Sequence, residues 1–321
     1  PEESASQFAI NRARFKLGGH AYRPRLEYYL EYDFVNSWLL DLRFTLRASE
    51  GLRLRVGQWK VPFNRARVDS SGKQQFVERS IVTPWFTLDR QQGGALFGRL
   101  WKQTRADSWY NLGAFTATGR GGTGSVGQPM VVGRWQWNLL ERDLPFSQSD
   151  IGYRDKPAAS VAVAGAGWRG PFTSFSSSGG GGLPGFPVGG SDTYEVRQAV
   201  LETAYQGRGL SWQQEMHWKT VDDTERDTVT DMTGWYAQLG FFFHTLFPAF
   251  PKALEIGLRW AEVDPDTTTG GDLEQETTLV FNWFFSGHRN KLTLDLSYLT
   301  QTTEVVRESS NRARFQWDWS F

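Results

Sequence analysis

Side chains of opposite character alternate at every second position over long runs, and this pattern limits the fold more than any other feature. Between Arg25 and Phe34, one parity carries Leu, Tyr and Phe, while the other is mainly charged. The pattern returns at 37–48 and 51–60. A period of two places successive side chains on opposite faces of a β-strand. Runs of about ten residues match a tilted strand that crosses a bilayer, whereas strands of soluble sandwiches are usually ~5–6 residues long.

The composition agrees with strands that meet lipid on one face and water on the other. The chain has 15 Trp, 10 Tyr and 23 Phe, yet its mean hydropathy is only −0.48. No apolar run reaches the ~18 residues of a membrane-spanning helix. Lys and Arg total 35, equal to the 35 Asp and Glu, and Cys is absent. These counts argue against an electrostatic nucleic-acid binder, a disulfide scaffold and a thiolate metal site.

About fifteen strands are predicted in one domain that covers residues 1–321, an all-β transmembrane antiparallel β-barrel. They are 8–19, 22–34, 37–48, 51–60, 93–102, 107–117, 129–139, 157–169, 194–206, 209–220, 232–244, 252–263, 273–286, 289–303 and 310–321.

The connections between these strands alternate in length, which is typical of short periplasmic turns and longer extracellular loops. Among the long ones, 61–92 is rich in charge and 170–193 is a Gly/Ser-rich segment that we expect to be a flexible extracellular loop. Two connections depart from the alternation, because 34–37 is short and 140–156 is long. An odd number of strands does not close an antiparallel barrel, so we expect a sixteenth strand before Pro1.

The last predicted strand ends the chain on an aromatic residue. Ala313, Phe315, Trp317, Trp319 and Phe321 share one face of it. This arrangement resembles the C-terminal signal that the outer-membrane assembly machinery recognises.

Four stretches, taken in their order and spacing, resemble the phosphate-selective porin O/P family. They are RARFKLGG at 12–19, VGQWKVPF at 56–63, the pair Glu78-Arg79, and FFSGHRNKL at 284–292. The resemblance implies a sixteen-stranded homotrimeric porin in the outer membrane of a Gram-negative bacterium, embedded in outer-membrane lipid. It also implies that segment 61–92 folds inward as a constriction loop, where arginines and lysines guide phosphate or similar small anions.

The resemblance also carries over individual positions of the anion pathway. A cation, two serines and a later arginine correspond to Arg67, Ser70, Ser71 and Arg79. By the same resemblance, an acidic constriction residue corresponds to Asp41, and lumenal arginines of the second strand correspond to Arg12 and Arg14. The chain departs from the family where Arg67 replaces Lys, where Asp69 adds a negative charge, and where Lys60 replaces an aromatic or acidic residue.

Charge alone also favours an anion pathway through this loop. Residues 60–90 carry more basic than acidic side chains: Lys60, Arg65, Arg67, Lys73, Arg79 and Arg90 against Asp69, Glu78 and Asp89. Rings of Arg and Lys lower the barrier for anions in a narrow pore. Lumenal arginines of the predicted strands, including Arg43 and Arg197, are candidates for the side chains that lead anions to this loop. Each of these cations has an alternative role as the structural partner of a carboxylate, and Ser70-Ser71-Gly72 as a simple turn.

Three functional classes remain open at this point. The first is an anion-preferring porin, the second a general porin of weak selectivity, and the third a structural barrel that anchors a partner protein. An enzyme is not expected, because the four His show no metal-ligand spacing and the nearest candidate for a Ser–His arrangement is His217 with Ser211, which are six residues apart. No cofactor, metal or nucleic-acid partner is predicted.

Overall fold

The computed structural model describes residues 10, 13–122, 127–302 and 307–320, with the backbone alone at Arg307. Fifteen strands form one antiparallel sheet, which confirms the predicted number and order of strands. The elements are β1 Arg14–His20, β2 Leu26–Asp33, β3 Trp38–Arg47, β4 Arg53–Lys60, α1 Arg65–Val68, α2 Val82–Phe86, β5 Arg90–Leu100, β6 Ser108–Phe115, β7 Gln128–Leu140, β8 Ala158–Gly170, β9 Ser174–Ser176, β10 Gly179–Gly181, β11 Tyr194–Gly207, β12 Leu210–Asp223, β13 Thr228–Phe241, β14 Leu254–Asp264, β15 Glu274–Phe284, β16 Asn290–Thr302 and β17 Arg307–Trp319, with 3₁₀ turns at Ser71–Lys73 and Phe243–Thr245.

Each strand of the sheet pairs with the next along the chain, except that β8 pairs directly with β11. Tight hairpins set the register at one end of the sheet. Between β11 and β12 only Arg208 and Gly209 remain, with φ of 56° and 80°. Two consecutive positive φ angles are those of a type I′ turn, whose twist matches that of the paired strands. The pairing Gly207↔Leu210 therefore fixes the alignment of both strands.

The two faces of the sheet differ in the way that the alternation predicts. Large apolar side chains are exposed on one face, including Met216, Trp218 and Leu258. On the other face charged side chains are buried, and Glu255 and Asp295 are both 0% exposed. This is the reverse of a soluble protein and is the pattern of a barrel whose outer face meets lipid.

The sheet curls around the connection between β4 and β5, residues 61–89, which we call the 61–89 segment. Ser71 Oγ accepts a hydrogen bond from Arg14 of β1 at 3.3 Å, while the Gln74 carbonyl accepts one from Lys291 of β16. Three residues of chain span at most ~11 Å. In a flat sheet β1 and β16, the first and fourteenth strands in order, would lie ~60 Å apart. The sheet therefore wraps around this segment, with its polar face inward.

The curled sheet forms the wall of the barrel. The core lies between this wall and the 61–89 segment. Phe63, Val82 and Phe86 of the segment are fully buried, at 0–1% exposure, and pack into one apolar cluster with side chains of the wall such as Val196 and Val263. Among the described residues, no helix is long and apolar enough to cross a membrane.

The connection 171–193 differs from the flexible loop that its composition indicates. It contains the hairpin of β9 and β10, and Phe175 is buried against Trp168, with ring centroids 5.4 Å apart. The sequence hides this order because its many Gly and Ser residues carry little pattern, while one buried aromatic side chain and a few hydrogen bonds decide the conformation.

The expected sixteenth strand stays a prediction. In the part of the chain that the structure describes, β1 and β17 are the two ends of the pairing order. Arg12 and Phe321, which belong to the expected anion pathway and the expected C-terminal signal, lie outside the described residues.

Candidate functional site

Carboxylates of the wall hold the start of the 61–89 segment. The backbone N–H of Arg65 donates to Glu202 of β11 at 2.8 Å, and that of Ala66 donates to Glu215 of β12 at 2.6 Å. These N–H groups begin α1, where no intrahelical acceptor exists for them. Charge-assisted hydrogen bonds of this kind are about twice as strong as neutral ones. The buried acidic residues of the wall are therefore anchors for the segment.

The same arrangement continues along the rest of the segment. Val77 N–H donates to Asp295 of β16 at 3.0 Å, and Ile81 N–H donates to Glu276 of β15 at 3.0 Å. The acceptors stand on different strands, so the segment is held from several sides of the wall at once.

Two glycines of β13 allow this close approach. A Cβ at Gly240 would lie 1.8 Å from Gln75 Nε2, and one at Gly234 would lie 2.5 Å from the Phe86 ring. Any other residue at Gly240 would displace the Gln75 side-chain amide, which lies at the tip of the segment, and crowd the Glu255 carboxylate, 2.6 Å from that Cβ.

Arg67 is paired rather than free for a solute. Its Nη2 contacts the Asp89 carboxylate in a buried ion pair and donates to Ser177 Oγ of the 171–193 connection at 3.0 Å. Although burial alone would raise the pKa of Asp89, the Arg67 guanidinium lowers it below its ordinary value. The structure thus gives Arg67 the role of a tie between the start and the end of the 61–89 segment.

Lys60 and Arg79 converge on one backbone oxygen. Lys60 Nζ donates to the Asp69 carbonyl at 2.9 Å, and Arg79 Nη2 donates to the same oxygen at 3.0 Å. Arg79 Nε also donates to the Ala66 carbonyl at 2.6 Å. The Asp69 carbonyl therefore fixes the two basic side chains side by side.

The Asp69 side chain lies beside this pair of cations but is not bonded to them. It is 1% exposed, and neither carboxylate oxygen has a hydrogen-bond partner among the described residues. Burial raises the pKa of Asp69 to about 7, although Arg65, Arg79 and Lys60 oppose the rise. Its charge therefore changes within the physiological range of pH.

The two serines and the remaining loop cation follow directly after Asp69. Ser70 is half-buried, with no side-chain cap bond to the turn that follows it. Ser71 Oγ accepts from Arg14, which also bonds Glu31 at 3.3 Å. Lys73 is exposed, and its ammonium has no hydrogen bond or ion pair in the described part of the chain.

Asp41, the expected acidic constriction residue, is bonded to Arg90, one of the cations counted in the 60–90 stretch, and the sequence did not predict this pairing. Arg90 Nε donates to Asp41 Oδ1 at 2.6 Å, and Arg90 lies 3.8 Å from Glu31 and 3.9 Å from Asp89. This buried arginine links β2, β3 and β5. Its partners lie far apart in the chain, so no local pattern indicates it.

The wall arginines divide into paired and unpaired ones. Arg134, Arg259 and Arg314 bond the buried Glu202, Glu276 and Asp295 respectively. These three arginines are structural partners of carboxylates. Arg43 instead stacks over the Tyr29 ring at 4.7 Å, and no ion pair reaches it within the described residues.

The expectation that Arg197 lines the lumen is wrong. Glu202 is on the buried parity of β11, whereas Arg197 has the opposite parity and its side chain is 76% exposed beside Glu195.

The fold and this site together define a class of protein: a bacterial outer-membrane β-barrel that forms a channel rather than an enzyme. A model of the family described as phosphate-selective porin O and P matches residues 2–135 and 189–318. The chain belongs to this porin family. No curated protein sequence matches it.

Solved structures of other outer-membrane channels share the fold. An anion-selective porin from Comamonas acidovorans superposes with a TM-score of 0.56 at 10% identity, covering 95% of this chain and 86% of that one. The outer-membrane channel DcaP of Acinetobacter baumannii gives a TM-score of 0.56 at 11% identity, covering 92% and 80%. OmpT of Vibrio cholerae, in its trimer form, gives 0.55 at 9% identity, covering 94% and 86%.

Proposed function

We propose that the channel passes small anions of the phosphate type and that its preference is set in the 61–89 segment. The observation that carries this proposal is the convergence of Lys60 and Arg79 on the Asp69 carbonyl. This shared oxygen holds the two basic side chains side by side at one point of the segment. An anion that approaches them meets two charged donors and, nearby, the Ser70 and Ser71 hydroxyls, which suit phosphate oxygens.

Ion pairs with buried carboxylates remove two cations from the candidates for anion contact. Arg67 is neutralised by Asp89, and Arg90 by Asp41. We assign the anion contacts to Lys60 and Arg79 because both side chains meet at the Asp69 carbonyl, with Lys73 and Arg43 as the approach and Arg14 beside Ser71. Arg67 and Asp41 shape the site through their partners. Conduction requires such weak and multiple contacts rather than one tight site.

A general porin of weak selectivity is the second candidate, and Asp69 is the observation that favours it. Above pH ~7 its carboxylate would offset one of the two cations. A structural barrel around a partner protein is disfavoured, because the chain's own 61–89 segment occupies the inner face of the sheet.

We also infer a homotrimer embedded in outer-membrane lipid. The exposed apolar face supplies surface for lipid and for neighbouring copies, and the OmpT neighbour is described as a trimer.

Planar-bilayer recording tests the anion site. Phosphate is titrated into chloride, and the half-blocking concentration is compared for the parent, Arg79→Ala, Lys60→Ala and the exposed turn control Arg105→Ala. Loss of one charge-assisted hydrogen bond is expected to cost ~1.5–3 kcal/mol, which raises the half-blocking concentration at least ~10-fold. A parent channel that phosphate does not block, or equal block in all four proteins, would leave the general porin.

A further inference from the structure

The connection between β7 and β8, residues 141–157, does not behave as a simple turn. It leaves the end of the sheet where the hairpins are short, opposite the end from which the 61–89 segment enters. The β7–β8 connection and the 61–89 segment nevertheless meet inside the curled sheet. Gln148 Oε1 accepts from Gln75 N–H at 2.9 Å, and Gln148 N–H donates to the Lys73 carbonyl at 3.3 Å. Gln148 is 7% exposed, so the contact is buried.

The connection then reaches the far wall. Ser149 Oγ donates to Glu255 of β14 at 2.8 Å, and Ser147 Oγ shares a hydrogen bond of 2.8 Å with His288 Nε2 in the turn after β15. β7 and β15 are the seventh and thirteenth strands in order, ~28 Å apart in a flat sheet. Residues 141–157 therefore cross the short-turn opening of the curled sheet.

Further contacts fix both halves of this crossing. Arg65 of α1 donates to the Pro145 carbonyl and lies over the Phe146 ring at 4.7 Å. Asp150 accepts from the Gly209 N–H at 2.8 Å. The Glu255 carboxylate that Ser149 contacts also accepts from Gln75 Nε2 at 2.9 Å. Glu255 thus joins Gln75, at the tip of the 61–89 segment, to Ser149 of the crossing connection.

We propose that residues 141–157 form a strap, a second pore element that fixes the tip of the 61–89 segment and narrows the pore at the short-turn end. The strap positions the tip through Gln148 and Ser149 and takes no part in anion binding. Pore size is then set jointly by two connections that enter from opposite ends. The proposal rests on the proposed role of the 61–89 segment as the constriction.

The first test shortens the strap. Residues 144–150 are replaced by three glycines in the full chain, and folded trimers are recorded in planar bilayers with poly(ethylene glycol) of graded size. The expected result is a single-channel conductance at least about twofold higher and a larger polymer cut-off, because the narrow path is widened. Unchanged conductance and cut-off would overturn the proposal.

A second variant covers the case in which the shortened chain does not fold. Gln148→Ala/Ser149→Ala keeps the length and removes the side-chain hydrogen bonds to Gln75 and Glu255, so we expect higher conductance and more current noise. Asp155→Ala, an exposed change in the same strap, is the control and should match the parent. A double variant that also matches the parent would contradict the positioning role.

The crossing itself is tested by a short thiol-reactive crosslinker. The chain has no Cys, so Ser147→Cys/His288→Cys carries the only two thiols of that variant, and a bis-maleimide with a spacer of ~8 Å should link them in the membrane, because a direct disulfide requires closer Cα atoms. Ser147→Cys/Ser49→Cys, which uses another turn at the same end, should not crosslink. Failure of the first pair, or equal crosslinking by both, contradicts the proposed path of the strap.

Phosphate titration on the same channels separates the two proposals. If the shortened strap raises conductance but phosphate does not block the parent, the anion site fails and the strap stands. If phosphate block is intact and conductance is unchanged, the strap alone fails.

Discussion

Anion selectivity is expected to depend on the protonation of Asp69. Its pKa of about 7 makes it neutral at pH 5 and charged at pH 9, so the Asp69 side chain adds one negative charge beside Lys60 and Arg79 as pH rises. At an illustrative separation of ~6 Å between a bound anion and the carboxylate, one charge contributes ~3 kcal/mol at an effective dielectric constant of 20, and ~1.4 kcal/mol at 40. We therefore expect anion affinity to fall at least ~10-fold between pH 5 and pH 9.

Sulfate block of the chloride current is the suitable assay, because sulfate keeps its charge over this range whereas phosphate does not. The half-blocking concentration should rise as pH passes through 7 in the parent. In Asp69→Asn it should stay near the low-pH value throughout, while Asp143→Asn, an exposed control, should follow the parent. A pH dependence that persists in Asp69→Asn would refute the reasoning, since another group would then be titrating.

Three further predictions concern the packing. Arg67→Ala leaves Asp89 without its buried partner and should lower stability by ~3–5 kcal/mol in urea unfolding, whereas Arg67→Lys should retain much of it; equal stability of both would contradict the pairing. Gly240→Val should displace the Gln75 side chain and change single-channel conductance without preventing folding, and an unchanged conductance would show that the tip is not held there. Met216→Lys, on the lipid face of β12, should lower stability by ~2–4 kcal/mol, with Met216→Leu as a neutral control.

The strands were predictable because lipid and water impose opposite demands on alternate residues. The alternation between Arg25 and Phe34 led to β2, Leu26–Asp33, with small errors at its ends. The same logic failed at Arg197, because charged and apolar side chains stand on both parities of β11: Val196 and Glu202 are on the buried one, and Arg197 and Leu201 on the other.

The site was predictable only in part. Charge in residues 60–90 identified the loop, but not which cations remain available, because pairing depends on partners such as Asp89 for Arg67 and Asp41 for Arg90. Residues 141–157 have no regular alternation, and their role depends on contacts with Gln75 and Glu255 that are remote in sequence. Such contacts are set by the curvature of the whole sheet.

The central claim, that Lys60 and Arg79 set the preference for anions, is tested most directly by the reversal potential in a potassium chloride gradient. We predict an anion-selective sign for the parent and a reversed, cation-selective sign for Lys60→Glu/Arg79→Glu, with Arg105→Glu like the parent. A parent that is cation-selective, or a charge-reversed channel that keeps the sign of the parent, would contradict the account.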